Sequence, residues 1–359
     1  MDVRHRQIQH GAVMSLYHDV DVVMDFGDVL AECAWVRHTA GVVHLSWRKI
    51  VEFHGLERAA FLHSMTTNHV NGLGLWGTQH NTSCDISGHL IGLMRLINAD
   101  DCIFADLPID CVEAVLENLD AHLIMEDVQI RRSDDLNLIS VQGVLSTTIV
   151  ERVIGAGCCP QPETAMPAGF QGERLILAAE SHTGEPGIDI LAPMSIVGLL
   201  WEDLTAVARD LGGGPVGLDA LNRLRVEAGI PWWKDDIDES ILMLEAGLDD
   251  AIHYGKGCYL GQETLARIHF RGHTNRRLAG LDLGDGPLPD RRTCLISDGR
   301  DAGWIASAVS SPTLNRNISL GFVRSQYLNA GTVLTLADSG LPARVSTLPF
   351  VTRHSIPGV

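Results

Sequence analysis

The segment Tyr254-Gly255-Lys256-Gly257-Cys258-Tyr259-Leu260-Gly261-Gln262-Glu263 carries the densest chemistry in the chain. Three glycines bracket a lysine and a cysteine, so the backbone can bend tightly and approach a ligand or partner closely. A thiol two residues from an ammonium, on a loop, is a candidate nucleophile. The competing reading makes Cys258 a small buried apolar residue, the commoner fate of a free cysteine. A second segment, Arg223-Leu224-Arg225-Val226-Glu227-Ala228-Gly229-Ile230-Pro231, places Glu227 at the end of an expected helix. A carboxylate there opposes the helix dipole, so another partner has to hold it. Two partners suit: the parallel N–H groups of an amino-oxo pyrimidine edge, or the guanidinium of Arg223 or Arg225.

Other residues offer less. Trp232-Trp233 can stack on an aromatic ligand or fill a domain junction. Asp235, Asp236, Asp238 and Glu239 lack the glycine and spacing of a calcium loop and read as a solvated acidic turn. His182, before Thr183-Gly184-Glu185, reads as a surface residue in a turn. No H-E-x-x-H, G-x-G-x-x-G or P-loop occurs. The eight cysteines form no C-x-x-C and no Cys/His spacing of a zinc or iron–sulfur ligand set, so the sequence predicts no resident metal.

The composition sets bounds on partners. With 27 basic and 45 acidic side chains among 359 residues, the formal charge of −18 argues against nucleic acid or anionic membrane as partner, since both need a cationic face. At 45% hydrophobic and 20% charged, the chain has enough apolar material for folded cores, and its length suits two or three domains. No secretory h-region or membrane-length apolar run is present, and the scattered cysteines suit a reducing compartment; a cytoplasmic location is expected.

The elements that must position these residues show in the patterning. Residues 1–33 lack strong periodicity and are expected to form a helix or extension. Strands are expected at 47–53, 90–97 and 102–107, with helices at 56–65 and from Pro108 through Leu123. Residues 128–131 and 136–141 read as a returning strand pair, and 159–172, rich in Pro and Gly, as an exposed loop. Strands at 175–178 and 188–190 precede helices at 194–210 and 217–229. Beyond Arg277 only short apolar runs between turn residues remain, the texture of a small antiparallel barrel or sandwich. The fold class is therefore α+β with a C-terminal β domain.

Taken together, the motifs resemble the glycine-cleavage T-protein (aminomethyltransferase) superfamily, and within it the YgfZ-type folate-binding proteins. Lys256 to Glu263 is similar to the YgfZ signature K-G-C-Y-x-G-Q-E, where T-proteins usually carry K-G-D-F-I-G-K-E. Arg225–Gly229 resembles R-L-E-A-G, and Leu244–Leu248 the L-E-A-G-L that follows it. Thr183–Ile190 resembles Y-T-G-E-D-G-F-E-I, with His182 for the tyrosine. Phe61–Asn68 matches F-L-x-x-x-T-T-N, Ser311–Leu314 matches S-P-T-L, and Pro349–Val351 matches P-F-V. The resemblance implies three domains around a central tetrahydrofolate pocket with a C-terminal antiparallel β-barrel. The expected segments are 1–140, 141–276 and 277–359, the first boundary being open to discontinuity in sequence. It further implies that Glu227 holds the pterin, that Lys256 meets the folate's anionic tail, and that Thr183 and Glu185 help bind the cofactor; Arg267, after the signature, is a further local cation for that tail or a solvated surface residue.

The departures from the pattern separate the relatives. T-proteins share G-G-x-I-D-D-L, whose aspartate assists the folate; here Gly92 and Leu93 stand in the Asp-Asp places, with His89 nearby. The tyrosines after P-F-V give way to Arg353, His354 and Ser355. The resemblance therefore implies first a tetrahydrofolate-binding, YgfZ-like protein supporting iron–sulfur cluster assembly or repair in client proteins, with Cys258 as the reactive thiol. The alternative is a folate-dependent aminomethyltransferase acting with a lipoyl carrier protein. A third reading, a folate-binding module without chemistry, predicts a Cys258 inert to alkylation.

Overall fold

The computed structural model describes residues 2–352, so Arg353, His354 and Ser355 lie outside the described residues. The chain divides into two compact units. Among the described residues, the first comprises 2–63, 69–81 and 94–221; the second comprises 64–68, 82–93 and 222–352.

The first unit is built on a six-stranded sheet ordered Ala165–Phe170, Glu173–Ala179, Gly187–Pro193, Leu136–Gln142, Gly41–His44, Gly214–Pro215. All neighbours are antiparallel except the last pair. Helix Met194–Asp210 covers it, and its apolar stripe Ile196, Val197, Leu200, Trp201, Leu204 and Ala208 packs with Val42, Ile139, Val141, Ile188 and Ile190 in one core. A five-stranded sheet follows the order Thr78–Cys84, Leu90–Asn98, Ile103–Pro108, Arg48–His54, Gln129–Arg132. Helix Ile109–Asp120 buries Val112, Val115 and Leu119, as their spacing predicts.

Several expectations are corrected. Residues 1–33 hold helix Val3–Gln9, a hairpin of Val13–Tyr17 with Val20–Asp25, and the start of helix Val29–His38. Gln129–Arg132 and Leu136–Gln142 do not pair with each other: the former joins Arg48–His54, the latter lies between Gly187–Pro193 and Gly41–His44. Short apolar runs fix strand character but not the partner, which is chosen by distant segments. The supposed loop at 159–172 contains edge strand Ala165–Phe170, where Pro167 is tolerated because one side of an edge strand has no ladder to complete.

In the second unit, six antiparallel strands close into a barrel in the order Arg276–Gly284, Arg316–Arg324, Arg300–Ser311, Cys294–Ser297, Val333–Leu336, Pro342–Ser346. Leu281, Leu295, Ile305, Val323, Leu334 and Val345 fill it. Closure removes the exposed edges that such short strands would otherwise present. No helix among the described residues is long and apolar enough to cross a membrane.

Candidate functional site

The signature loop is tied to one short stretch of chain. Across it, the His253 N–H donates to the Thr67 carbonyl (3.1 Å) and the Leu260 N–H to the Ser64 carbonyl (3.1 Å). In the other direction, Thr67 Oγ1 donates to the Ala251 carbonyl (2.6 Å) and Asn68 Nδ2 to the Asp250 carbonyl (2.9 Å). Lys256 completes the clasp: it is 6% exposed, and Nζ donates to the Thr66 and Asn68 carbonyls at 2.6 and 2.7 Å. The Tyr259 ring lies beneath the amine, with Nζ 4.7 Å from its centroid. Gly261 turns the chain into helix Gln262–Arg271 at φ +85°, and a Cβ there would stand 2.6 Å from the Asp85 carbonyl oxygen, so the position admits only glycine. Between buried Lys256 and Tyr259, Cys258 is exposed. The buried-hydrophobe reading of that thiol is thereby set aside. Nearby Cys84 is its opposite, fully buried, with its thiol pushed up to about 12 by desolvation.

Burial lowers the Lys256 amine from 10.5 to about 7. Between those values the unfolded chain holds the extra proton, so Lys256 makes stability rise with pH from about 7 toward 10.5. Below about 7 both states are protonated and the native state carries the burden of a buried charge. Lys256→Met should remove this slope, leaving only a pH-independent offset from the lost hydrogen bonds. Urea titrations of both proteins at pH values from about 6.5 to 10 check it; parallel curves would refute it.

Glu227 ends helix Leu218–Glu227, and Gly229 at φ +75° stops the helix, with Ile230 N donating to the Arg225 carbonyl (2.8 Å). Its carboxylate is wholly buried. Ser311 Oγ and the Thr313 N–H (3.1 Å) donate to Oε1, and Thr313 Oγ1 donates to Oε2 at 2.9 Å. The Glu227 carbonyl accepts from the Phe350 and Val351 N–H groups at 2.9 and 3.1 Å. The R-V-E-A-G, S-P-T-L and P-F-V segments, far apart in sequence, thus meet on one residue. Neither ion-pair partner considered for Glu227 fills that role. Arg225 pairs with Asp236 and donates to Ser307 Oγ (2.6 Å), and Arg223 donates to the Ser310 carbonyl. The acidic turn is likewise not simply solvated: Asp236 is buried, and Asp238 and Glu239 pair with Arg292 and Lys234.

In the first unit, Thr183 and Glu185 are buried in the turn before Gly187–Pro193. Arg37 holds both, reaching Glu185 Oε1 at 2.8 Å and the Thr183 carbonyl at 3.4 Å, and Thr183 Oγ1 accepts the Glu185 N–H at 3.3 Å. His182 is not a surface residue; its Nε2 lies 3.0 Å from the wholly buried carboxylate of Asp189. Sequence reasoning missed what surrounds it. Arg95, 2% exposed, lies 2.8 Å from Asp189, 3.1 Å from Glu180 and 3.1 Å from Asp106, while Arg48 adds a second guanidinium 2.7 Å from Asp106. Burial by itself raises the Glu180 and Asp189 carboxyls. Arg95 and His80 overcome this for Glu180, and His182 and Arg95 for Asp189, holding both below the usual carboxylate range. The one signal in the sequence was an arginine inside the apolar run Leu90–Asn98.

Gly92 is buried in that same strand, and Leu93 is half-buried. His89 Nδ1 lies 2.9 Å from Ser87 Oγ, in the turn capped by Asp85. Arg267 is exposed on Gln262–Arg271.

Comparison with known proteins agrees with this architecture. The GCVT N-terminal domain family matches residues 3–256, and the glycine cleavage T-protein C-terminal barrel domain matches residues 276–352. The aminomethyltransferase of Pelodictyon phaeoclathratiforme is 29% identical, the match covering 92% of this chain and 94% of that protein. That of Prosthecochloris aestuarii is also 29% identical, over 92% and 93%. The crystal structure of the glycine cleavage system aminomethyltransferase T from Bartonella henselae superposes with a TM-score of 0.90 at 19% identity, over 97% of each chain, so the fold is that of a T-protein. Two domain matches in order, spanning nearly the whole chain, place this protein in the glycine cleavage T-protein family.

Proposed function

We propose that the protein is a tetrahydrofolate-dependent aminomethyltransferase. The observation that carries this reading is the end-to-end match, at 29% identity over 92% of the chain, to a protein named for that activity. In the reaction, the aminomethyl carbon leaves the sulfur of a lipoyl carrier for the folate nitrogens, ammonia departs, and the carrier thiol is regained. Glu227 would offer its acceptor oxygens to the pterin's amino-oxo edge in exchange for the Ser311 and Thr313 donors. Lys256, committed to two backbone carbonyls, positions the loop and leaves exposed Arg267 as the cation for an anionic tail. Thr183 and Glu185 support the cofactor through the turn that Arg37 fixes.

Gly92 and Leu93 supply no carboxylate for proton transfer, and such help is worth about 10²–10⁴-fold. Turnover should therefore be slower by about that factor than in an aminomethyltransferase bearing the aspartate. The test supplies aminomethyl-loaded carrier and tetrahydrofolate and measures ammonia and methylene-tetrahydrofolate together. Stoichiometric formation of both, unchanged in Cys258→Ser, supports the transferase.

One observation favours a second reading: the exposed Cys258 on a clasped loop matching the YgfZ signature. It makes the protein a folate-binding helper in iron–sulfur cluster assembly or repair. Under it no transfer is seen, and Cys258→Ser abolishes support of client iron–sulfur enzymes while tetrahydrofolate still binds. Failure of tetrahydrofolate to bind in calorimetry sinks both.

A further inference from the structure

Away from those residues, three donor side chains of the first unit come together on one face of the five-stranded sheet. Along Arg48–His54, Val51 and Phe53 are buried while Glu52 and His54 alternate with them toward the other face. Phe53 pairs with Ile103 across the antiparallel ladder, which sets Cys102 beside His54. A carboxylate oxygen of Glu52, a ring nitrogen of His54 and the Cys102 sulfur all lie within 4.8 Å of one another. They face a cavity of about 220 Å³ whose other walls include Phe104, Leu136 and Arg174. The geometry points to a binding site for one zinc-class divalent cation, held by Glu52, His54 and Cys102.

The donor chemistry selects the metal. Thiolate, imidazole and carboxylate together suit Zn²⁺, whereas Mg²⁺ and Ca²⁺ take oxygen sets. A tetrahedral ion with bonds of about 2.0–2.3 Å needs its ligand atoms within about 4 Å of one another, so the three donors, now within 4.8 Å, have to draw together slightly on binding. His54 Nε2 and Glu52 Oε2 already sit 2.8 Å apart and share a proton where the cation would sit. Ser133 Oγ donates to the other oxygen, Oε1, and so fixes the carboxylate's orientation, as outer partners do in built metal sites. On binding, the Cys102 thiol proton leaves to solvent and the imidazole binds as the neutral ring. Three protein ligands leave the fourth position to water from the cavity, the pattern of exchangeable rather than sealed zinc sites. This site is independent of the folate reading.

Cobalt is the probe. Untagged full-length protein is stripped with a chelator and titrated with Co²⁺. The expected result is one equivalent bound with a tetrahedral visible spectrum and a thiolate-to-cobalt charge-transfer band, displaced by Zn²⁺. Cys102→Ser should lose the band, and His54→Ala, at a more exposed position, should lose tight binding with the fold intact by circular dichroism. Ser133→Ala should keep the band while weakening affinity about 10–100-fold. Cys258→Ser should bind as the wild type. No band in the wild type, a band surviving in Cys102→Ser, or one lost in Cys258→Ser overturns the site.

Discussion

Replacing Arg95 with Met should destabilise the first unit by about 3–5 kcal/mol, the usual result of removing one partner from a buried ionic cluster. Typical total stabilities are about 5–15 kcal/mol, so a loss of this size is a large fraction of the whole. Asp106, Glu180 and Asp189 are 1%, 13% and 0% exposed at their side chains, and Arg95 is the cation common to all three. With the guanidinium gone, three carboxylates face one another, with Arg48, His80 and His182 among the described residues in compensation. The pH dependence carries the mechanism. Glu180 and Asp189 are depressed on folding, so their stabilising contribution is full above the ordinary carboxylate range near 4 and is lost as pH falls through the lower folded values. Arg95→Met removes the largest lowering influence on Glu180 and, beside His182, a further one on Asp189, and so weakens that depression. The gap between wild type and variant should therefore be widest near neutral pH and close as pH falls below about 4. Urea melts across that range measure it; a gap that is small at neutral pH, or constant throughout, would rule out the cluster as the unit's electrostatic anchor.

Glu227→Ala should remove tetrahydrofolate binding and cost stability at once, and a companion variant separates the two. Truncation leaves the Ser311 hydroxyl and both Thr313 donors without their buried acceptor, at about 1–3 kcal/mol for each group left unsatisfied. Glu227→Gln keeps the shape and one oxygen for the Thr313 N–H and the Ser311 hydroxyl, and the Thr313 hydroxyl can turn to accept from the new amide. Its stability loss should be about 1 kcal/mol. The pterin contact behaves differently, because the ligand's paired N–H groups need two acceptors on one side chain. Exchanging one acceptor for a donor should weaken tetrahydrofolate about 10–100-fold, the worth of a charge-assisted hydrogen bond. Calorimetry on the folded Gln variant gives the answer: wild-type affinity there would make Glu227 a structural staple of the S-P-T-L turn and nothing more.

Much of the local structure was legible in the residues. Helices Met194–Asp210 and Ile109–Asp120 follow from apolar spacing and flanking Pro and Gly signals, and the run of short strands after Arg277 foretold a small antiparallel barrel or sandwich, of which the structure has the barrel. The glycines of the signature foretold a tight loop, and Gly261 bears this out through its left-handed φ and its closeness to Asp85. Partner choice was not legible. Leu136–Gln142 reads equally well as a neighbour of Gln129–Arg132, and only the burial of both its faces within a central sheet position settles it.

The sequence by itself determined the family, most of the element types and the candidate thiol, because periodicity, turn chemistry and contiguous motifs are local properties that survive in a linear string. The tertiary structure decided which polar groups are buried and what holds them. It turned Lys256 from a candidate tail-binding cation into a clasp on Thr66 and Asn68, and Glu227 into the meeting point of three distant motifs. It also set Cys102 beside His54 and ringed Arg95 with carboxylates. The reason is physical: a charge or ligand atom takes its meaning from neighbours within a few ångströms, and in a sheet those neighbours come from strands far apart in the chain.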